Sequence, residues 1–271
     1  MKPLRALLGW SVRTMAGLPG SCVCAVCGKR LSRFLPYTGN GWRPFKVPPL
    51  MRALQMVGSD VDHFSCPHCL SHDRERHLWL YLQASGLSGM LPTLRILHMA
   101  PEPNLARRIA SLGPRSYVQG DLYPVAPGVQ RIDLQAISFE DQSFDLVIAN
   151  HVLEHVEDDL AALREIARVL APAGHAILQT PFAASLEATW SDPGVRSPLA
   201  RLHAYGQEDH VRLFGKDIFQ RISSAGFEDL TRTHDHALAA VDATSHGVNR
   251  LEPFFHFQKP ATPCAAAEVA D

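Results

Sequence analysis

The first 59 residues contain no Asp or Glu, although nine Lys and Arg fall there: Lys2, Arg5, Arg13, Lys29, Arg30, Arg33, Arg43, Lys46 and Arg52. Such a stretch cannot neutralise itself. It either docks on an anion, such as RNA, phosphate or a charged membrane face, or lies against the acidic body that follows. Long apolar runs are also missing. Arg5 and Arg13 interrupt the candidate nearest the N-terminus, and nothing approaches the roughly 18 apolar residues of a membrane helix, which predicts no span. Cysteine is scarce, with six in 271 residues, too few for a disulfide scaffold. Glycine is absent between His98 and Asn104, a turn that Pro101 and Pro103 would make rigid instead.

What cysteine there is falls into two C-x-x-C pairs, Cys24-Ala-Val-Cys27 and Cys66-Pro-His-Cys69, separated by 38 residues. Two such turns supply four thiolates to one tetrahedral ion, so Cys24, Cys27, Cys66 and Cys69 are read as ligands of a structural zinc with no open position. Free thiolates of this kind point to a reducing compartment, the cytoplasm. Cys22 is a spare neighbour and Cys264 has no partner in the tail. His63, His68 and His72 flank the knuckles as alternative ligands or as loop residues. The basic, apolar segment 1–17 reads as a surface helix or a disordered arm, with a transit peptide as the alternative.

The residues around the pairs are rich in Gly and Pro and lack periodicity, as expected where a metal fixes the backbone. A helical run over 76–82 then leads to Gly86 as its stop. After Pro92, short apolar runs alternate with helical stretches. Strands are predicted over 94–98, 116–119, 129–132, 144–149 and 175–179, and later over 227–233 and 251–258. Helices are predicted over 104–112, 158–170 and 215–225, with Pro172 and Gly174 closing the second. This alternation implies an α/β fold, a doubly wound Rossmann-like parallel sheet that binds ligands at the carboxyl ends of its strands. The implied organisation is a basic arm (1–20), a zinc-binding module with its connecting helix (21–90), the sheet domain (91–259) and a disordered tail (260–271). The irregular stretch 181–212 is long enough to be a lid or binding segment.

The run from Phe139 through Ser143-Phe-Asp145-Leu-Val to His151-Val-Leu-Glu-His155-Val closely resembles class I S-adenosylmethionine-dependent methyltransferases of the type 11 kind. Arg168-Val-Leu-Ala-Pro-Ala-Gly174, Asp209-His210-Val-Arg212-Leu-Phe-Gly215 and Ala225-Gly226-Phe227 resemble later parts of the same family, so the likeness covers residues 94–235. It implies S-adenosylmethionine as cofactor, with Asp121 on the ribose hydroxyls, and Asp133 and Leu134 at the adenine. His98, Ala100 and Glu102 would line the turn after the first strand, where His98 replaces the usual acidic residue, and Asn150 would follow the fourth. Methyl transfer chiefly needs alignment and exclusion of water. If the acceptor must lose a proton, His151 and His210 are the candidate catalytic bases, with His155 one turn on. Three functions follow from the resemblance: a methyltransferase acting on a small-molecule or glycan-type acceptor, an RNA methyltransferase using the zinc module for docking, or a non-catalytic zinc-binding protein on a degenerate fold. The basic arm favours the second and the missing glycines the third.

Overall fold

The computed structural model describes residues 12–39 and 45–261. The expected arm before residue 12, Arg43, and the tail from residue 262 with Cys264 lie outside the described residues. The chain first forms a small ribbon, β1 (Cys22–Val23) antiparallel to β2 (Arg30–Leu31), followed by α1 (Pro49–Ala53) and β3 (Met56–Val57). The longest helix among those described, α2 (Asp73–Ala84), starts where His72 N–H donates to the Glu75 side chain at 2.6 Å. Asp73 and Glu75 in its first turn complement the helix dipole, and Gly86 at φ +80° follows its end, as the sequence implies.

Next come α3 (Leu87–Met90), β4 (Arg95–Met99), α4 (Pro103–Ser111), β5 (Ser116–Asp121), β6 (Val129–Arg131), β7 (Phe144–Ala149), α5 (Asp159–Val169) and β8 (Leu170–Ile177). The chain continues through β9 (Phe182–Ala183), which pairs with β3, then α6 (Pro198–Tyr205), α7 (Ile218–Ser224), β10 (Glu228–Asp229) and β11 (His256–Gln258). Seven strands form one sheet in the order β10-β11-β8-β7-β4-β5-β6. The five from β8 to β6 are parallel, and β11 runs against both its neighbours. The expected doubly wound α/β sheet is therefore present. Its strand order reverses beside β4, which lies between β5 and β7, and that is where such sheets open a crevice for ligands.

Three expectations differ in detail. The strands expected over 227–233 and 251–258 shorten to two and three residues. Pro172 and Gly174 do not separate helix from strand; β8 starts at Leu170, directly after α5. Proline cannot donate to a ladder, and the register between β7 and β8 shifts between Phe144 and Leu146, which accommodates it. The irregular 181–212 stretch contains α6, capped by Ser197 accepting from Ala200 N–H at 3.2 Å.

Alternation along the strands sends successive side chains to opposite faces. Leu97, Val147 and Ala149 pack with Leu163 and Ile166 of α5 and Ile218 of α7. Ile96, Leu146 and Ile148 face Leu78 and Leu82 of α2 and Leu105 of α4. This second core also includes Cys24, Val26, Leu31 and Phe34, so the cysteine-bearing module and the sheet share one apolar interior. Arg76 of α2 fastens the junction. Fully buried, it donates to the carbonyls of His63, Phe64, Ser71, His246 and Gly247 and lies 4.0 Å from the Phe34 ring centroid. Five acceptors replace the water a guanidinium loses on burial.

Candidate functional site

The two C-x-x-C turns have the same backbone construction. Cys24 N–H donates to Lys29 O and Gly28 N–H to Cys24 O; Cys66 N–H donates to Ser71 O and Leu70 N–H to Cys66 O. Gly28 and Leu70 both turn in the left-handed region, at φ +72° and +64°. The four sulfurs converge within 4.8 Å, with Cys24 to Cys69 at 3.8 Å and Cys27 to Cys66 at 3.9 Å. A tetrahedron of sulfurs about 2.3 Å from a central ion has edges of about 3.8 Å. The His68 amide lies 3.4 Å from Cys66 Sγ, the N–H···S contact that supports a thiolate ligand. Burial pushes the Cys27 thiol up to about 11, whereas hydrogen bonds from Cys24 and Cys66 hold the Cys69 thiol well below its ordinary value. The cluster therefore fits a metal. Cys22 stands apart, its Sγ 3.8 Å from Ser32 O. Two of the basic residues near this module are used within it, since Arg13 donates to Pro67 O at 2.6 Å and Arg30 to Gly20 O at 3.1 Å.

At the carboxyl edge of the sheet, β4 turns at Ala100 with φ +45°, and β7 turns after Asn150 at His151 with φ +55°. Left-handed backbone strains a residue bearing a Cβ, and strain of this kind collects at binding sites. Ala100 N–H reaches Gly120 O of β5 at 2.7 Å. At Gly120 itself a Cβ would lie 2.7 Å from Ile132 Cδ1 and 2.9 Å from the Met99 sulfur, so these side chains would have to shift to admit one. The place of the missing glycines is held by a carboxylate from α2: Glu75 Oε1 accepts the Asn104 and Leu105 amides of α4, both at 3.1 Å. Sequence reasoning passed over Glu75, whose signal was its place three residues after the start of an acidic helix turn.

His98, Glu102 and Asn150 come together in this edge. His98 Nδ1 is 2.8 Å from the Tyr117 hydroxyl, and Asn150 Nδ2 donates to Glu102 Oε1 at 2.5 Å. His98 Nε2 and Glu102 Oε2 approach to 3.3 Å without hydrogen-bond alignment, and both, with Asn150 Oδ1, are buried polar atoms lacking a hydrogen-bond partner. Burial pushes the Glu102 carboxyl up, but His98 and Arg74 outweigh it and hold the group below the ordinary range. Asp121, half-buried at the end of β5, accepts the Tyr123 amide at 2.7 Å through Oδ1. Asp133 accepts the Gln135 amide at 2.9 Å, while Leu134 is buried in the main core.

On the other side of β7 the buried groups are paired. His151 Nε2 lies 3.1 Å from Glu252 Oε1, and its Nδ1 3.4 Å from Glu154 Oε1. Burial and the nearby Arg74 charge would lower the His151 imidazole, but Glu154 and Glu252 on either side raise it to about 9. Glu252 also meets His77 Nδ1 of α2 at 3.1 Å, and His77 Nε2 meets His234 Nδ1 at 3.0 Å. Burial raises Glu154, but His151, His155 and His210 bring it down to about 2. His210 is buried next to Glu154, with Nδ1 3.0 Å from the Tyr205 carbonyl. Glu252 and His77 carried no local sequence signal, since their partners lie about 100 and 175 residues away.

Comparisons with known proteins bear on the same region. Part of the chain is 35% identical over 101 residues to a malonyl-[acyl-carrier protein] O-methyltransferase of Halorhodospira halophila, covering 36% of this chain and 30% of the relative. A protein of the same description from Erwinia billingiae is 29% identical over 117 residues, covering 42% and 47%. The chain thus spans under half the length of these curated relatives. Among solved structures, an S-adenosylmethionine-dependent methyltransferase from Mesorhizobium loti is similar with a TM-score of 0.44 at 18% identity, covering 65% of this chain and 96% of that one. Residues 95–178, from β4 through β8, match the family model described as a methyltransferase domain.

Proposed function

We propose that the protein is an S-adenosylmethionine-dependent methyltransferase acting on a small-molecule or glycan-type acceptor, with a structural zinc in its four-cysteine cluster. The observation that carries this reading is the group of buried polar atoms without partners, His98 Nε2, Glu102 Oε2 and Asn150 Oδ1, at the strand ends of a methyltransferase domain. His98 Nε2 and Glu102 Oε2 face each other at 3.3 Å without a hydrogen bond, and a polar ligand that bonds them or Asn150 Oδ1 recovers up to about 1–3 kcal/mol for each bond completed. The residues thus fit the cofactor's amino acid portion, despite the absence of glycines. When bound, the cofactor supplies a methyl group on a sulfonium centre. In this reading Glu102 and Asn150 bind its ammonium and carboxylate end, Asp121 accepts from the ribose hydroxyls, and Asp133 with Leu134 holds the adenine side. Ala100 lets the turn approach closely with only a methyl side chain.

His151 and His210 belong to the acceptor side. His151, held between two carboxylates, contributes a fixed orientation and charge, and His210 presents the Nε2 lone pair as a Lewis base. The match ends at Leu178, before the 181–212 segment that would shape the acceptor site, so the carrier-bound malonyl group named in the relatives is not carried over. Reduced thiolate ligands suit a cytoplasmic setting.

Titration calorimetry with S-adenosylmethionine tests the assignment. Binding by the wild type and a tenfold or greater loss in Asp121→Ala are expected. No heat from the folded wild-type protein would overturn it in favour of a non-catalytic zinc protein. Zinc content should fall in both Cys24→Ser and Cys66→Ser, and unchanged content in either would refute the metal assignment.

A further inference from the structure

Just beyond β7, Glu154, His155 and His210 each bring one ligand atom to within 4.8 Å of the others. Both Nε2 atoms stand 4.0 Å from the same oxygen, Glu154 Oε1. That is too long for a hydrogen bond. It is close to the separation of two ligands on one ion: nitrogen and oxygen ligands about 2.1 Å from a tetrahedral centre lie about 3.4 Å apart, roughly half an ångström closer than here.

The outer contacts of all three residues are those of metal ligands. A carbonyl only accepts, so His210 Nδ1, 3.0 Å from Tyr205 O, carries the ring proton and leaves the Nε2 lone pair directed at Glu154. His155 Nδ1 lies 3.2 Å from Asp209 Oδ2, which draws a ring proton to that side. Glu154 Oε2 accepts from the Thr180 hydroxyl at 3.0 Å, which sets the carboxylate plane and leaves Oε1 for the centre. A carboxylate and a backbone carbonyl at the far imidazole nitrogens are the outer-shell partners that orient metal-binding histidines. His151 Nδ1, 3.4 Å from Glu154 Oε1, is the competing neighbour, and Glu252 holds its other nitrogen. The nearby Arg212 guanidinium is taken by Asp159 at 3.1 Å and by the Glu157 carbonyl at 2.7 Å.

We infer that Glu154, His155 and His210 form a second metal site, separate from the cysteine cluster, for a divalent first-row cation such as Zn2+. Two imidazoles and one carboxylate favour such an ion over Mg2+ or Ca2+, and three protein ligands leave at least one position open. His210 then spends its lone pair on the ion rather than on a proton. The site stands on its own geometry and is tested without methyl transfer.

The test loads the full chain with Zn2+, desalts it and counts bound metal. Glu154→Gln and His210→Ala should each bind one equivalent fewer than the wild type while keeping its far-UV circular dichroism. X-ray absorption at the zinc edge of the loaded wild type should show nitrogen or oxygen scatterers near 2.0–2.1 Å besides sulfur near 2.3 Å. Equal metal content in the wild type and both folded variants would overturn the site. Should a variant not fold, an all-sulfur spectrum from the wild type would overturn it as well.

Discussion

The two sides of the sheet's carboxyl edge are finished in opposite ways. Beyond β7, Glu252 is buried between His77 and His151, and each of its carboxylate oxygens meets an imidazole nitrogen at 3.1 Å. At the end of β4, His98, Glu102 and Asn150 are just as buried, yet each keeps one polar atom without a hydrogen-bond partner. A fold tolerates buried unpaired groups where a ligand completes them, and pairs the rest internally. The paired side should therefore govern stability and the unpaired side ligand affinity, a division that four substitutions can break or sharpen.

The largest effect is expected on the paired side. Glu252→Gln leaves His77 and His151 without their shared carboxylate and should destabilise the protein by about 3–5 kcal/mol in chemical denaturation. A loss under 1 kcal/mol would mean that the pairing is not structural. Next is Asp73, which burial and nearby Glu252 raise to about 7 although Arg76 pulls the other way. The folded state holds this proton more tightly than the unfolded chain. Its stabilisation is complete below about pH 4 and is lost as pH rises through 7. Asp73→Asn should thus be more stable than the wild type by roughly 2–4 kcal/mol at pH 8, with the difference closing at pH 4. A difference independent of pH would show that the carboxyl is not buried as described.

On the unpaired side, Glu102→Gln keeps the acceptor for Asn150 but removes the charge. S-adenosylmethionine affinity should fall about 10–100-fold, or about 1.4–2.7 kcal/mol, with a melting temperature within a few degrees of the wild type. A large stability loss with unchanged affinity would reverse the comparison. The smallest change is expected from Ala100→Gly, which relieves a left-handed alanine and should shift stability by less than about 1 kcal/mol in either direction.

The strands and helices of the β4–β8 region were legible because both faces of the sheet are covered and each run repeats a simple period, as at Phe144–Ala149, predicted with the observed ends. The late strands were less so. Pairing with β8, rather than local pattern, decides where β11 begins, and only His256–Gln258 pair with it. The cysteine cluster was readable from spacing alone, since each knuckle is a local turn. The cofactor edge was half readable. Asp121 and Asn150 follow strand ends, whereas the capping of α4 by Glu75 and the bond of His151 to Glu252 join segments with no local relation. The stretch 181–212 was too irregular to reveal α6.

The position of Glu75 has a consequence for how the cysteines reach the chemistry. Only five residues lie between Cys69, the last sulfur of the cluster, and Glu75, whose carboxylate fastens the start of α4. Slack introduced at the sulfurs by oxidation or chelation has almost no length of chain in which to dissipate before it reaches the turn after β4. Amide exchange at Asn104 and Leu105 would therefore report on the redox state of a cluster that touches neither of them.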